Sequence, residues 1–121
     1  MKIGLGMYPN LLTPDDFRFA RQAGATCVVA HLPVCARRPG RGLPPEQMWT
    51  YDELAGLKAA MNAEGLEFAA IENFDVEHWC DVLLDGPKRD AQMEGLKQLL
   101  RTMGRLGIGA MGYNFSYANV W

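Results

Sequence analysis

The sequence of 121 residues predicts an α/β fold with a parallel sheet, and two patterns carry this prediction. Short apolar runs alternate with amphipathic segments that start with helix-capping residues and end before a glycine. The strand–helix–glycine–strand unit recurs at roughly 30–40 residues, the size of a βα repeat. Such alternation implies parallel strands joined by right-handed crossovers. Four strands and three main helices make the N-terminal half of a (β/α)8 TIM barrel, which typically takes about 250 residues.

The first strand, helix and second strand fall within the first 32 residues. Residues 2–7 form a short apolar run that ends in a turn at Pro9. Thr13, followed by proline and two aspartates, predicts a helix start, and Gly24 predicts its end. Residues 27–32 are apolar almost throughout, which predicts a second strand buried on both faces.

The middle of the chain predicts a long loop, a helix and a third strand. Residues 33–48 contain four prolines and three arginines, a composition typical of a loop. Thr50 and Glu53 have the spacing of a capping box, and Gly65 ends the second helix. Residues 67–73 follow as the third strand.

The last third predicts one long helix and a fourth strand. Residues 75–85 form a loop with a short turn of helix, and Gly86-Pro87 opens the third main helix. Apolar residues lie on one stripe of that helix, which ends at Gly107. The fourth strand is expected to run to about Phe115.

A complete flavodoxin-like sheet would fit the same element order, although that fold usually needs a fifth strand and helices on both faces. The sequence reaches Trp121 without a helix to cover the fourth strand. We therefore expect one partial barrel domain, residues 1–121, truncated after strand four. Strands one and four would be unpaired edges, so we expect self-association, as a homo-oligomer, or marginal stability.

Composition excludes several classes of function. The apolar fraction of 49% and charged fraction of 21% are typical of a soluble globular protein. A net charge of −2 argues against nucleic acid as a partner, and no apolar run approaches the ~20 residues of a membrane span. The odd number of cysteines, three, argues against an oxidised secreted scaffold, and the N-terminus lacks signal-peptide features. We expect a cytoplasmic protein.

Polar residues at the predicted strand ends are the main candidates for binding a substrate. Barrel enzymes bind their substrates at the carboxyl ends of the strands. Glu72 and Asn73 end the third strand, and Tyr113 and Asn114 end the fourth. His31 ends the second and could bind a hydroxyl group. The alternative is that Glu72 is merely solvated and Tyr113 packs against a neighbour.

Other residues give weaker signals. Cys27, His31 and Cys35 could suggest a metal, but zinc sites usually show paired short spacings, so a buried thiol and a hydrogen-bonded histidine are favoured. Glu77 and His78 could form an acid–base pair, although a surface loop is the simpler interpretation. The arginines of the long loop could bind an anion or could simply be solvated charges: Arg37, Arg38 and Arg41. Tyr8 and Asn10, after the first strand, are further candidates for the substrate site.

Nucleotide and acyl chemistry are not supported. Gly4-x-Gly6 lacks the third glycine of a dinucleotide fingerprint, and Pro9 interrupts the turn. The sequence contains neither a P-loop nor a serine nucleophile elbow.

Several segments resemble the mannonate dehydratase family, best from residue 47 onward. Residues 86–90 (Gly-Pro-Lys-Arg-Asp), the helix ending in Gly-Ile at 107–108, and Tyr-Asn-Phe at 113–115 are similar to the corresponding run of that family. Residues 65–67 with Ile71-Glu72 resemble its Ala-Gly-Leu…Val-Glu-Ser strand. Met48-Trp49 with Asp52-Glu53 resembles its Val-Trp…Glu-Glu helix start.

The chain also departs from the family pattern. His31-Leu32-Pro33 is shifted relative to the family's histidine-containing segment, and residues 37–41 look like an insertion. Residues 75–78 match the family's Pro-Val-His-Glu only loosely. Gly112 stands where the family has cysteine. A divergent sugar-acid dehydratase, a sugar isomerase/epimerase-like barrel and a non-catalytic α/β binding module are therefore alternatives.

The resemblance implies a hydro-lyase of hexuronate catabolism that dehydrates D-mannonate to 2-keto-3-deoxygluconate with a divalent metal, usually Mn²⁺. Such a metal would hold the carboxylate and a hydroxyl of the sugar acid, acidify the C2 proton and stabilise the enediolate. The family's metal ligands, His, Cys, His and Asp, would lie on later strands, beyond Trp121. The chain alone is therefore expected to be inactive and to supply substrate contacts only.

Overall fold

The fold is a parallel sheet with helices along one face, in a computed structural model that describes residues 1–32 and 48–114. The strands are β1 (Gly4–Met7), β2 (Cys27–His31), β3 (Glu67–Glu72) and β4 (Ala110–Met111). The helices are α1 (Pro14–Gln22), α2 (Tyr51–Ala63), α3 (Cys80–Leu84) and α4 (Arg89–Leu106), and 3-10 turns cover Pro9–Leu11 and Val76–His78. The predicted alternation of strands and helices is confirmed.

The strand order distinguishes between the two folds that fit the sequence. All neighbouring strands pair in parallel, in the order β1-β2-β3-β4. A flavodoxin-like sheet has the order 2-1-3-4-5, so this alternative is excluded. Sequential parallel order is what an arc of a (β/α)8 barrel requires. Among the described residues, β1 and β4 are the edges of the sheet, as predicted.

The hydrophobic core lies between the sheet and the helices. Val28 and Ala30 of β2 and Leu32, directly after it, are fully buried and belong to the same apolar cluster as residues from three helices. The helix residues at its centre are Phe17, Leu54, Met61, Leu99 and Met103. Because side chains alternate along a strand, the other face of β2 carries Cys27, Val29 and His31. The helices thus cover one face and leave His31 on the opposite one.

Local capping signals set the helix ends as predicted. The Thr13 hydroxyl accepts a hydrogen bond from Asp16 N at 3.3 Å, and Thr50 and Glu53 form the full reciprocal capping box. Gly107 ends α4 with a φ of 68°, the left-handed conformation that glycine adopts without strain. No helix in the described parts of the chain is long and apolar enough to cross a lipid bilayer.

Two predicted boundaries were wrong. Helix α4 begins at Arg89 rather than at Pro87, because residues 86–88 form a turn in which Lys88 N donates to Asp81 Oδ2 at 2.7 Å. β4 ends at Met111 rather than near residue 115, because β3, its only neighbour among the described strands, ends at Glu72. Residues 33–47 and 115–121, including the candidates Cys35, Arg37, Arg38 and Arg41, lie outside the described residues.

Candidate functional site

A polar cluster lies where β2 and β3 end. In the ladder between these strands His31 pairs with Glu72, each the last residue of its strand. The carboxyl ends of parallel strands meet at one edge of a sheet, where barrel enzymes bind their substrates. We call His31, Glu72, Asn73 and Tyr8 the strand-end cluster.

A β-bulge at Ala69 brings Glu72 opposite His31. The ladder pairs Val28 with Phe68 and then passes over Ala69, so that the next residue of β2 pairs with Ala70. Without the extra residue, regular alternation would place Ile71 opposite His31 and turn Glu72 towards the helices. With the bulge, Phe68 and Ile71, three residues apart, are both buried in the core. Glu72 is thereby on the same face as His31.

His31 is held on both sides of its ring. Its Nε2 lies 2.9 Å from Glu72 Oε1, and its Nδ1 lies 2.5 Å from Asn73 Nδ2. The Tyr8 ring stacks on the imidazole with 4.5 Å between ring centroids and 23° between planes. His31 is only 9% exposed, so these contacts replace most of its solvation. Residues at the ends of two strands, β1 and β3, therefore fix the histidine at the end of β2.

The backbone of Asn73 explains how two consecutive residues can reach the same ring. Asn73 has a φ of 60°, a left-handed conformation that asparagine tolerates better than most residues. Glu72 extends from the end of the strand, and the left-handed turn after it brings the Asn73 amide to the other ring nitrogen. The turn at the end of β3 thus brings a side chain to each ring nitrogen of His31.

Gly6 and Gly112 make room for this cluster, because neither carries a side chain. A Cβ added to Gly6 would lie 3.1 Å from His31 Nε2, and one added to Gly112 would lie 3.0 Å from Glu72 Cβ. Both distances are shorter than ordinary van der Waals contact. The sequence pattern marks Gly6 only as part of a possible nucleotide motif and gives no sign of this role for either glycine. Their positions beside His31 and Glu72 depend on strand pairing, which the sequence pattern does not report.

Tyr113 and Asn114 lie on a different surface. They line an apolar cavity of about 230 Å³ together with residues of α4 and of the segment after β3, and neither His31 nor Glu72 is part of that lining. The apolar lining residues include Phe74, Trp79, Leu96, Leu100 and Met111. The structure therefore brings His31, Glu72 and Asn73 together as expected, but places Tyr113 and Asn114 beside α4.

Glu77 and His78 lie by a second cavity, of about 210 Å³, between the turn after β3 and α4. Glu77 is exposed, whereas His78 is 3% exposed. Gln92 anchors this region: its Oε1 accepts from Asp81 N and Val82 N, and its Nε2 donates to the Glu77 carbonyl at 2.8 Å. Gln92 was not predictable from the sequence, because nothing in the pattern marks a polar residue on the buried side of a helix. An acid–base role for Glu77 and His78 stays a prediction.

Two ion pairs between described residues raise the pKa of their cations. A hydrogen bond to the Glu67 carboxylate at 2.6 Å raises the pKa of Lys2, at the amino ends of the strands. A hydrogen bond to Glu64 likewise raises the pKa of Arg18. In the described parts of the chain, no lysine or arginine forms an ion pair with Glu72. Among the described residues, the cluster therefore contains one carboxylate and no lysine or arginine paired with it.

The described residues do not form a metal site. No group of three histidine, cysteine, aspartate or glutamate side chains within residues 1–32 and 48–114 could hold an ion. Cys27 is a buried free thiol, which agrees with the structural interpretation of that residue. Its proposed companion Cys35 lies outside the described residues.

Comparison with known proteins gives a consistent family. The family model of D-mannonate dehydratase (UxuA) matches residues 11–121. Mannonate dehydratase of Thermotoga maritima is 29% identical over 79 residues, which cover 65% of this chain and 21% of that protein. The Oceanobacillus iheyensis enzyme is 32% identical over 79 residues, which cover 65% of this chain and 22% of that protein. This chain thus matches about a fifth of the length of its curated relatives.

A solved structure supports the same assignment. The crystal structure of mannonate dehydratase from Streptococcus suis serotype 2 is similar with a TM-score of 0.73 and 27% identity, over 95% of this chain and 30% of that one. The sheet described above therefore corresponds to part of that enzyme's fold. From the family match and this likeness together, the chain belongs to the D-mannonate dehydratase family.

Proposed function

We propose that the protein carrying this chain is a lyase that removes water from a sugar acid, converting D-mannonate to 2-keto-3-deoxygluconate. The observation that carries the proposal is the family match across residues 11–121. In this reaction a base takes the proton from C2, the C3 hydroxyl leaves as water after protonation, and the enol becomes the keto acid.

The strand-end cluster supports a role in holding a polyhydroxylated molecule. Hydroxyl groups of a sugar acid need hydrogen-bond acceptors and donors, and Glu72, Asn73 and Tyr8 offer both. The cluster lies at the edge of the sheet where barrel enzymes bind substrates. Glu72 and Asn73 are therefore proposed substrate contacts. His31, whose two ring nitrogens face Glu72 and Asn73, is a proposed member of the same site that holds them in place. Tyr113 and Asn114 remain candidates from the neighbouring strand end.

A divalent metal, Mn²⁺, is part of the proposal through the family resemblance alone. Its ligands are not supplied by residues 1–32 and 48–114, where no suitable group of side chains exists. Both ring nitrogens of His31 are already engaged by Glu72 and Asn73. The described residues therefore do not fit this metal, and we assign no step of the reaction to a metal held by them.

The test is an assay of the full reading frame that contains residues 1–121. The purified protein is incubated with D-mannonate, with and without Mn²⁺, and keto-acid formation is followed. We expect metal-dependent formation of 2-keto-3-deoxygluconate. Isomerisation or epimerisation of a sugar, without keto-acid formation from any aldonate, would replace the dehydratase by an isomerase-like function. Binding without any turnover would support the non-catalytic alternative.

A further inference from the structure

The hydrogen bonds around His31 determine which of its ring nitrogens carries a proton. The Asn73 amide nitrogen, 2.5 Å from His31 Nδ1, can only donate, so Nδ1 accepts. The ring proton then belongs on Nε2, which donates to Glu72 Oε1 at 2.9 Å. Both ring nitrogens of His31 are thus used within the protein. It has no nitrogen left with which to bind a ligand.

The groups with unused hydrogen-bonding capacity in the cluster are those that surround His31. Within residues 1–32 and 48–114, the second carboxylate oxygen of Glu72, the Asn73 amide oxygen and the Tyr8 hydroxyl make no hydrogen bond. The Glu72 side chain is 35% exposed and Tyr8 is 48% exposed, so both can be reached from solvent. Two of these three groups are acceptors, and one carries a negative charge.

This charge limits which part of a sugar acid can bind here. A carboxylate accepts hydrogen bonds from hydroxyl groups strongly, and it repels another carboxylate. In the described parts of the chain no cation is paired with Glu72 to offset that repulsion. The cluster therefore suits the hydroxylated tail of a ligand and disfavours its acid group.

We propose that Glu72 is a specificity-determining residue that binds the hydroxylated tail of the substrate, and that His31 is the positioning residue that fixes the Glu72 carboxylate. The inference rests on the proposed function, because it takes a sugar acid as the ligand. The two residues thus have separate roles within the cluster. The acid group of the ligand is directed away from the ends of β2 and β3.

The first part of the test observes the imidazole directly and needs no substrate. Histidine-selective ¹⁵N labelling with long-range ¹H–¹⁵N spectra at pH 7 reports the tautomer of each histidine, and His78 serves as the internal comparison. We expect the ring proton of His31 to be on Nε2, the nitrogen that faces Glu72. Asn73→Gly keeps the left-handed backbone and removes the amide, so His31 is expected to become a mixture of tautomers. A charged imidazolium, or a proton on Nδ1 in the wild type, overturns the positioning role.

The second part of the test compares two ligands that share a tail. D-mannonate and the neutral alcohol D-mannitol are titrated into wild type, Glu72→Gln and Glu67→Gln by calorimetry. Glu67 is the matched control, because it lies on the same strand at the opposite end of the sheet. We expect Glu72→Gln to raise the Kd of both ligands by about tenfold. Glu67→Gln is expected to leave both Kd values unchanged.

The outcomes separate this inference from the proposed function. If Glu72→Gln strengthens the binding of D-mannonate and leaves the binding of D-mannitol unchanged, the acid group lies at Glu72 and the proposed orientation is wrong. If neither ligand binds the wild type, the specificity role is overturned, whatever the tautomer. If both ligands bind with the expected pattern but no keto acid forms in the activity assay, the proposed function fails and the binding role of Glu72 stands.

Discussion

Gly112 gives the sharpest physical prediction, because it lies against the strand-end cluster. An alanine Cβ at this position would be 3.0 Å from Glu72 Cβ and 3.4 Å from its Oε2. Glu72 Cβ is attached directly to the β3 backbone, so rotation of a side chain cannot relieve the contact. The ends of β3 and β4 would have to separate by a few tenths of an ångström.

The size of the effect follows from two opposing contributions to the free energy of unfolding. Overpacking of this kind typically costs about 1–3 kcal/mol. Replacing glycine by alanine also restricts the unfolded chain, which returns about 0.4–1 kcal/mol. We therefore expect Gly112→Ala to lower the free energy of unfolding by about 1–2 kcal/mol.

Gly109→Ala is the matched control, three residues earlier and before the same strand. There the nearest atom to an added Cβ is the Ala69 carbonyl oxygen at 4.0 Å, so no overpacking arises. This variant is expected to be neutral or more stable by up to about 1 kcal/mol. With a urea dependence of about 1–3 kcal/mol per molar, the two unfolding midpoints should differ by on the order of 1 M. Equal midpoints, or a higher midpoint for Gly112→Ala, would refute the close packing of Gly112 on Glu72.

Three further predictions concern the supporting structure. Thr50→Ala removes the capping box of α2 and should cost about 1 kcal/mol in urea unfolding, whereas an unchanged midpoint would show that the cap is dispensable. Gln92→Met leaves two backbone N–H groups at the start of α3 without their acceptor and should cost about 2–3 kcal/mol; a loss below 1 kcal/mol would contradict this anchoring role. The hydrogen bond from Arg101 lowers the pKa of Glu94 below its ordinary 4.5, so the stability from this contact is present above that value and is lost as pH falls through the lowered pKa. Arg101→Gln should raise the pKa of Glu94 in a carboxyl ¹³C NMR titration, and an unchanged pKa would assign the shift to another group.

The helices were predictable from sequence because their signals are local. Thr13, Thr50 and Gly107 act on backbone groups within four residues of themselves, so the sequence pattern contains the whole interaction. The parallel pairing of the strands was also predictable, because short βα units leave few ways to connect strands. The order of the strands was not, since a flavodoxin-like sheet fitted the same pattern. The misplaced start of α4 shows the limit: Asp81, seven residues earlier, holds the turn before Arg89.

The candidate site was predictable in its members but not in its geometry. The placement of His31, Glu72 and Asn73 at strand ends follows from the pattern, and the structure brings them together. The bulge at Ala69 is invisible in a run of small and apolar residues, yet it decides whether Glu72 faces His31. Tyr113 and Asn114 turned towards α4, because β4 ends at Met111. Such contacts depend on pairing between distant segments.

The central claim is that the strand-end cluster serves a sugar-acid dehydratase, and keto-acid formation from D-mannonate tests it most directly. The full reading frame is assayed as wild type, Glu72→Gln and Glu67→Gln, with Mn²⁺ present. We expect 2-keto-3-deoxygluconate from the wild type, a KM raised about tenfold by Glu72→Gln with kcat nearly unchanged, and wild-type kinetics for Glu67→Gln. Absence of keto acid in the wild type, or Glu72→Gln kinetics identical to wild type, would contradict the account.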